Sequence, residues 1–182
     1  MQCSNQKNIT EISLPYPLYQ SKKGRYFIGQ TPLLTGKDKH ALAGLSNPTT
    51  SNVNIYVNAI TITNISNLNL SAEFYLKSKV KGALVSDLVS CANLSIVPEP
   101  TPSGKIKYLT TTTQPPSGGV PIFSRIVSPY STLVVDGGQI ILPPGQSLFV
   151  YIGDFLPVVF DNVKFAFGWW EEPICNYHNY GC

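Results

Sequence analysis

A hydrophobic period of two, interrupted every few residues by proline and glycine, constrains this chain more than any other feature. Val53, Ile55 and Val57 alternate with Asn52, Asn54 and Asn58, and Ile60 and Ile62 then alternate with Thr61 and Thr63. Such alternation marks a half-buried strand. The phase slips by one residue near Ala59, and a slip inside one long strand predicts a β-bulge. Leu70 to Leu76 repeats the pattern, with Ala72, Phe74 and Leu76 opposite Ser71, Glu73 and Tyr75. Between the two, Asn64-Ile65-Ser66-Asn67 reads as a hairpin or short loop. Further strands are expected at Tyr26 to Gly29, Leu94 to Val97, Ile106 to Thr112, Val120 to Val127, Thr132 to Val135, Gln139 to Leu142, Ser147 to Ile152 and Val163 to Trp170. Pro98-Glu99-Pro100-Thr101-Pro102, Pro115-Pro116-Ser117-Gly118-Gly119, Asp136-Gly137-Gly138 and Pro143-Pro144-Gly145 separate them as turn or loop signals.

Short strands at even spacing with this punctuation argue an all-β fold: an antiparallel, jelly-roll-like β-sandwich of about 8–10 strands. Leu42 to Asn47 and Val80 to Val89 fit the pattern least and are expected as short helices on the rim. Composition supports the class. Of 182 residues only 13% are charged, while 15 are proline and 14 glycine, which is poor in helix formers and rich in turn formers. Aromatic content of 11% argues against disorder. The length suits one core, and the expected layout is an N-terminal arm over residues 1–25, a sandwich over 26–173 and a tail over 174–182.

Several functions are excluded or given no support. A net charge of +3 is too small and too scattered for nucleic acid. The first residues lack the apolar stretch of a Sec signal, and nowhere do about 18 apolar residues run together to span a membrane. There is no GxSxG elbow, HExxH or P-loop. His40 lies in a charged loop and His178 in the tail, so they read as solvent-exposed; no catalytic residue, metal site or cofactor is expected. Glu171 and Glu172 are adjacent on a strand and point to opposite faces, which is wrong for a paired acid and base. One reads as solvated and the other as paired with a lysine at a subunit contact. Trp169 and Trp170 split between faces in the same way, one into the core and one outward. With Tyr177 and Tyr180 they are candidates for an interface or for stacking on a sugar ring.

The cysteines are placed unusually. Cys3 lies near one end, Cys175 and Cys182 near the other, and Cys91 in the middle. Thiols on terminal segments can reach a neighbouring subunit, so Cys3, Cys175 and Cys182 are candidates for interchain disulfides, with an intrachain Cys175–Cys182 loop as the alternative. Cys91 reads as a buried small hydrophobe or as a partner for a tail thiol. In the arm, Ile9, Ile12, Leu14, Leu18 and Tyr19 supply enough apolar surface for an extended segment to add a strand to another subunit, although Pro15 and Pro17 limit its ladder.

Four stretches carry a resemblance: YFIGQTP at Tyr26 to Pro32, AGLSNP at Ala43 to Pro48, LPPG at Leu142 to Gly145 and FAFGWWEEP at Phe165 to Pro173. The chain resembles an uncharacterised family from spore-forming Firmicutes, a domain of unknown function of about this length, and that resemblance implies no activity. More loosely, in architecture, it is similar to the endospore-appendage subunits of the same bacteria. Those are jelly-roll domains whose cysteine-bearing N-terminal connector cross-links neighbours into a fibre.

The expected function is therefore structural and non-enzymatic. Copies of the chain would join head-to-tail into a fibre or layer at an extracellular or spore surface, by arm insertion and terminal disulfides. The alternatives are a carbohydrate- or protein-binding module contacting other spore- or cell-surface proteins, and a structural protein of a virion or its tail.

Overall fold

A computed structural model describes residues 13–36, 40–153 and 160–174. The one described helix, α1, spans Tyr16–Lys22, and twelve strands follow it. In chain order they are β1 (Tyr26–Gln30), β2 (Leu34–Gly36), β3 (His40–Ser46), β4 (Val53–Asn64), β5 (Leu70–Leu76), β6 (Leu84–Val85), β7 (Val89–Cys91), β8 (Lys105–Thr112), β9 (Val120–Val127), β10 (Ser131–Leu142), β11 (Ser147–Ile152) and β12 (Phe160–Pro173). One sheet has the order β10-β4-β12-β1-β7, with β2 also on β12, and the other has β6-β8-β3-β11-β5-β9. We call them the first and second sheet.

The antiparallel pairs nest. β5 pairs with β9, β4 with β10, β3 with β11 and β1 with β12, as though one long hairpin had been rolled up on itself. That nesting across two sheets is the jelly roll. The connection over residues 77–119, at the tip of the rolled hairpin, departs from the plain pattern. Its strands β6 and β8 extend the second sheet past β3, and β7 extends the first sheet past β1. One side of the sandwich is widened by this insert. The opposite side ends in β9 and β10.

Alternation places the core. Ile55, Val57, Ile60 and Ile62 of β4 face Phe74, Leu148 and Val150 of the second sheet, with Phe165, Phe167 and Trp169 of β12 beside them, all buried. The expected slip near Ala59 is a bulge: Gly168 pairs with Ala59 and Trp169 with Val57, leaving Asn58 as the extra residue. Asn64 ends β4, and residues 65–69 are a loop that crosses between sheets. The Asn64 amide holds it by donating to the carbonyls of Leu68, Val127 and Ser128.

Four local expectations need correction. Leu42 to Asn47 is not helical but lies largely in β3, whose residues Ala41 to Ser46 are buried on both faces, so the run has no alternation to read. Val80 to Val89 contains β6 and the start of β7 instead of a helix. Leu94 to Val97 is not a strand, and Leu94 is 80% exposed. Asp136-Gly137-Gly138 does not separate two strands either. β10 runs through it with a register shift between Asp136 and Ile140, because glycine serves a bulge as readily as a turn.

Candidate functional site

The end of β12 explains the GWWEEP stretch one face at a time. Trp169 points inward and Trp170 outward, and each indole donates to the carboxylate two residues on, where strand geometry puts it on the same face. Trp169 Nε1 reaches Glu171 Oε1 at 3.0 Å, and Trp170 Nε1 reaches Glu172 Oε1 at 3.1 Å. Glu171 is 6% exposed and also accepts the backbone N–H groups of Ser103 at 3.0 Å and Gly104 at 2.8 Å. The buried charge is thus met by three N–H donors, as a buried carboxylate must be. It ties the residue 77–119 insert to the core.

Glu172 does the same work outside. Its Oε1 also accepts from the Tyr16 hydroxyl at 2.7 Å and from Gln20 Nε2 at 2.9 Å. Tyr56 stacks on Trp170 with centroids 5.2 Å apart, and Tyr16 meets the same indole edge-on at 5.8 Å. The hydrogen bond to Glu172, with burial and the carboxylate's charge behind it, raises the Tyr16 phenol above its ordinary value, and for Tyr56 burial is the largest cause, followed by the charge of Glu172. Helix α1 therefore sits on its own sandwich and covers Trp170, which is 7% exposed. Neither glutamate is paired with a lysine among the described residues.

Beside this cluster the outer face of the first sheet is open among the described residues. A trough of about 570 Å³ is floored by the small residues Ala59, Thr61, Ala166 and Gly168 and walled by Ile28 and Leu88. Tyr26 closes one end by lying across Gly168, where a Cβ would come within 2.6 Å of its hydroxyl. Asn58, the bulge residue, donates to that hydroxyl at 2.9 Å. Asp87, Ser90 and Gln30 bring polar groups to the lining. YFIGQTP and FAFGWWEEP meet here, as β1 and β12.

The side opposite the insert is the second open region. Between β9 and β10 a slot of about 370 Å³ reaches the core residues Val57 and Ile60, with Ile122 and Phe123 on one wall and Val135 and Ile140 on the other. Outside the slot, on the same two strands, Val120, Ile126, Val134 and Ile141 are each at least half exposed.

The expected site residues distribute as follows. Leu14, Leu18 and Tyr19 are exposed, but Leu18 and Tyr19 belong to a helix and not to an extended arm. The Pro15-Tyr16-Pro17 sequence was the available signal, since proline is tolerated in a first helical turn. Trp169 is wholly buried, and Cys91 is in the core with its N–H on Glu99. His40 is stacked on Tyr151, with Nδ1 3.1 Å from the Ile152 carbonyl oxygen. Cys3, Ile9, Ile12, Cys175, Tyr177, His178, Tyr180 and Cys182 lie outside the described residues. Tyr16, Gln20 and Tyr56 were not anticipated, because their partners are distant in sequence, and Glu99 was not, because it lies in a proline-rich turn whose side chains carry no periodicity. Among the described residues no three His, Cys, Asp or Glu side chains gather as metal ligands, and no helix is long and apolar enough to cross a membrane.

A protein-family model described as a family of unknown function (DUF6143) matches residues 1–176. The chain belongs to that family. Comparison with curated proteins finds no match, and comparison with solved structures finds none either. The family assigns the chain no activity.

Proposed function

We propose that this protein is a structural subunit that assembles with copies of itself. The observation that carries the reading is the open side of the sandwich. β9 and β10 end their sheets there, with an apolar slot between them and exposed aliphatic side chains along both. An unpaired edge strand is a template for another chain. A strand or arm from a second copy laid along β9 would find main-chain partners and a slot for alternate side chains, which is the logic of strand addition. Pro121 and Arg125 temper the edge without removing Val120, Ile122 and Ile126 from its surface. The setting we infer is an extracellular or spore surface in a spore-forming bacterium, where Cys3, Cys175 and Cys182 would lock the contacts as disulfides.

Negative-stain electron microscopy of the full chain under oxidising conditions, with and without reductant, tests this. Extended assemblies are expected, and Ile122→Lys with Ile126→Lys should disperse them while leaving the circular dichroism spectrum unchanged. Monomers alone in both conditions overturn the reading.

The trough on the first sheet favours a second reading, a module that binds another surface protein or a glycan. Its volume and apolar lining suit a ligand site. In that case Ile28→Lys abolishes binding in a partner or glycan screen, and the β9 variant does not.

A further inference from the structure

The other two motif stretches, AGLSNP and LPPG, also meet, on the far side of the molecule from the trough, at the end of the second sheet. Ser46 ends β3 and Asn47 and Pro48 follow it, Gly145 and Gln146 form the β10–β11 turn, and with residues 78–80 after β5 they enclose a cleft of about 380 Å³. Its walls are tied by hydrogen bonds. Asn47 N–H donates to the Gln146 carbonyl, Gly145 N–H to the Asn47 carbonyl, and the Asn47 amide to the carbonyls of Val53 and Leu142. Across the cleft Ser147 Oγ donates to the Ser78 carbonyl at 2.7 Å, and Lys79 is held by a two-way bridge to Ser117. A cleft so braced is set before any ligand arrives.

Its charge is one-sided. Lys79 and Lys107 line it and no acidic side chain does. Neither ammonium group has a partner among the described residues. The acidic residue on this face of the sheet, Glu73, is engaged with Ser124 further along β5. Two unpaired cations bordering a concave surface, Lys107 half-buried and Lys79 exposed, concentrate anions there. Thr49 and Gln146 add uncommitted polar groups at the rim, and Phe149 and Val80 form an apolar floor. The volume exceeds what a bare ion fills, leaving room for polar atoms attached to it.

We propose that this cleft binds a tetrahedral oxyanion, a phosphate or sulfate group carried on a larger polar molecule such as a sugar. Lys79 and Lys107 take the charge, and Thr49 and Gln146 take the carrier's hydroxyls. A glycan bearing such esters is a suitable source, and free phosphate shares the chemistry.

Isothermal titration of the full chain with inorganic phosphate, glucose 6-phosphate and glucose 6-sulfate, at constant ionic strength set with sodium chloride, tests the proposal. Saturable binding is expected, weaker by about tenfold or more in Lys79→Met and Lys107→Met, the effect of losing one charge-assisted hydrogen bond. Met keeps the aliphatic stem, and Lys164→Met on the first sheet should leave binding unchanged. Tighter binding of the sugar esters than of phosphate supports a carried group. Phosphate binding as tightly as the esters overturns the carrier part of the proposal. No saturable binding, or binding indifferent to both lysine variants, overturns the site.

Discussion

At the residue scale the two adjacent glutamates show how neighbours in sequence come to hold different parts of a molecule. Glu171 faces three N–H donors in the core, and Glu171→Ala leaves Trp169 Nε1 and two backbone amides without an acceptor. At about 1–3 kcal/mol for each stranded group, the loss should be at least about 3 kcal/mol by chemical denaturation. Glu171→Gln keeps an acceptor oxygen and should cost less. Glu172 acts on the surface, and its partners set a pH limit. The Tyr16 and Tyr56 phenols are raised above 10.0, so the fold favours their neutral forms. A folded pKa above the unfolded one gives stability that is complete below the unfolded value and lost as pH rises through the folded one. Docking of α1 should therefore hold at neutral pH and weaken only as pH rises past the ordinary phenol range of about 10, modestly because Tyr16 is half exposed, read by tyrosinate absorbance together with Trp170 fluorescence. Glu99 runs the other way. The Cys91 N–H and the Ser90 hydroxyl lower its pKa, so its hold on β7 is present above the unfolded value and weakens as pH falls through the lowered one. Hydrogen exchange at the Cys91 amide measures that loss.

At the element scale, the insert and α1 are the additions to a plain jelly roll, and each is fixed by one carboxylate of β12. Gly104 is where the insert enters the core. A Cβ there would sit 2.8 Å from Ile55 Cδ1 and 3.0 Å from Trp169 Nε1. Gly104→Ala should destabilise by about 1–3 kcal/mol, the usual cost of overpacking, in a thermal melt. Deleting residues 1–23 removes α1, uncovers Trp170 and Tyr56 and takes two donors from Glu172. The truncated chain should fold with a stability lower by roughly 1–3 kcal/mol and bind a hydrophobic dye that the full chain excludes. Runs framed by loop or turn signals were readable in advance: Leu70 to Leu76, Val120 to Val127 and Ser147 to Ile152 have the expected ends, the last of them through Pro143-Pro144-Gly145 before it, although it is buried on both faces. β3 was not, since burial on both faces erases alternation. α1 was not either, because seven residues carry too little periodicity and are held by Glu172, far along the chain.

At the scale of the whole molecule, the sandwich is widened on the side of the insert and, among the described residues, open along β9 and β10. In the proposed assembly that asymmetry would set a direction, because a contact between unlike surfaces is head-to-tail and builds a ring or an open filament. Lysines at Ile122 and Ile126 are therefore expected to lower sedimentation mass while leaving the melting temperature within a few degrees, as surface changes usually do. The sequence by itself determined the fold class, the strands that alternate, the bulge near Ala59 and the opposite faces of Trp169 and Trp170, because each is written within a few consecutive residues. Tertiary structure alone decided the rest: the nested pairing, the widening by residues 77–119, the burial of Trp170 beneath α1 and the two clefts in which the four motif stretches meet. Those depend on contacts between segments tens of residues apart. Local periodicity tells which face of a strand is buried, but not what covers it.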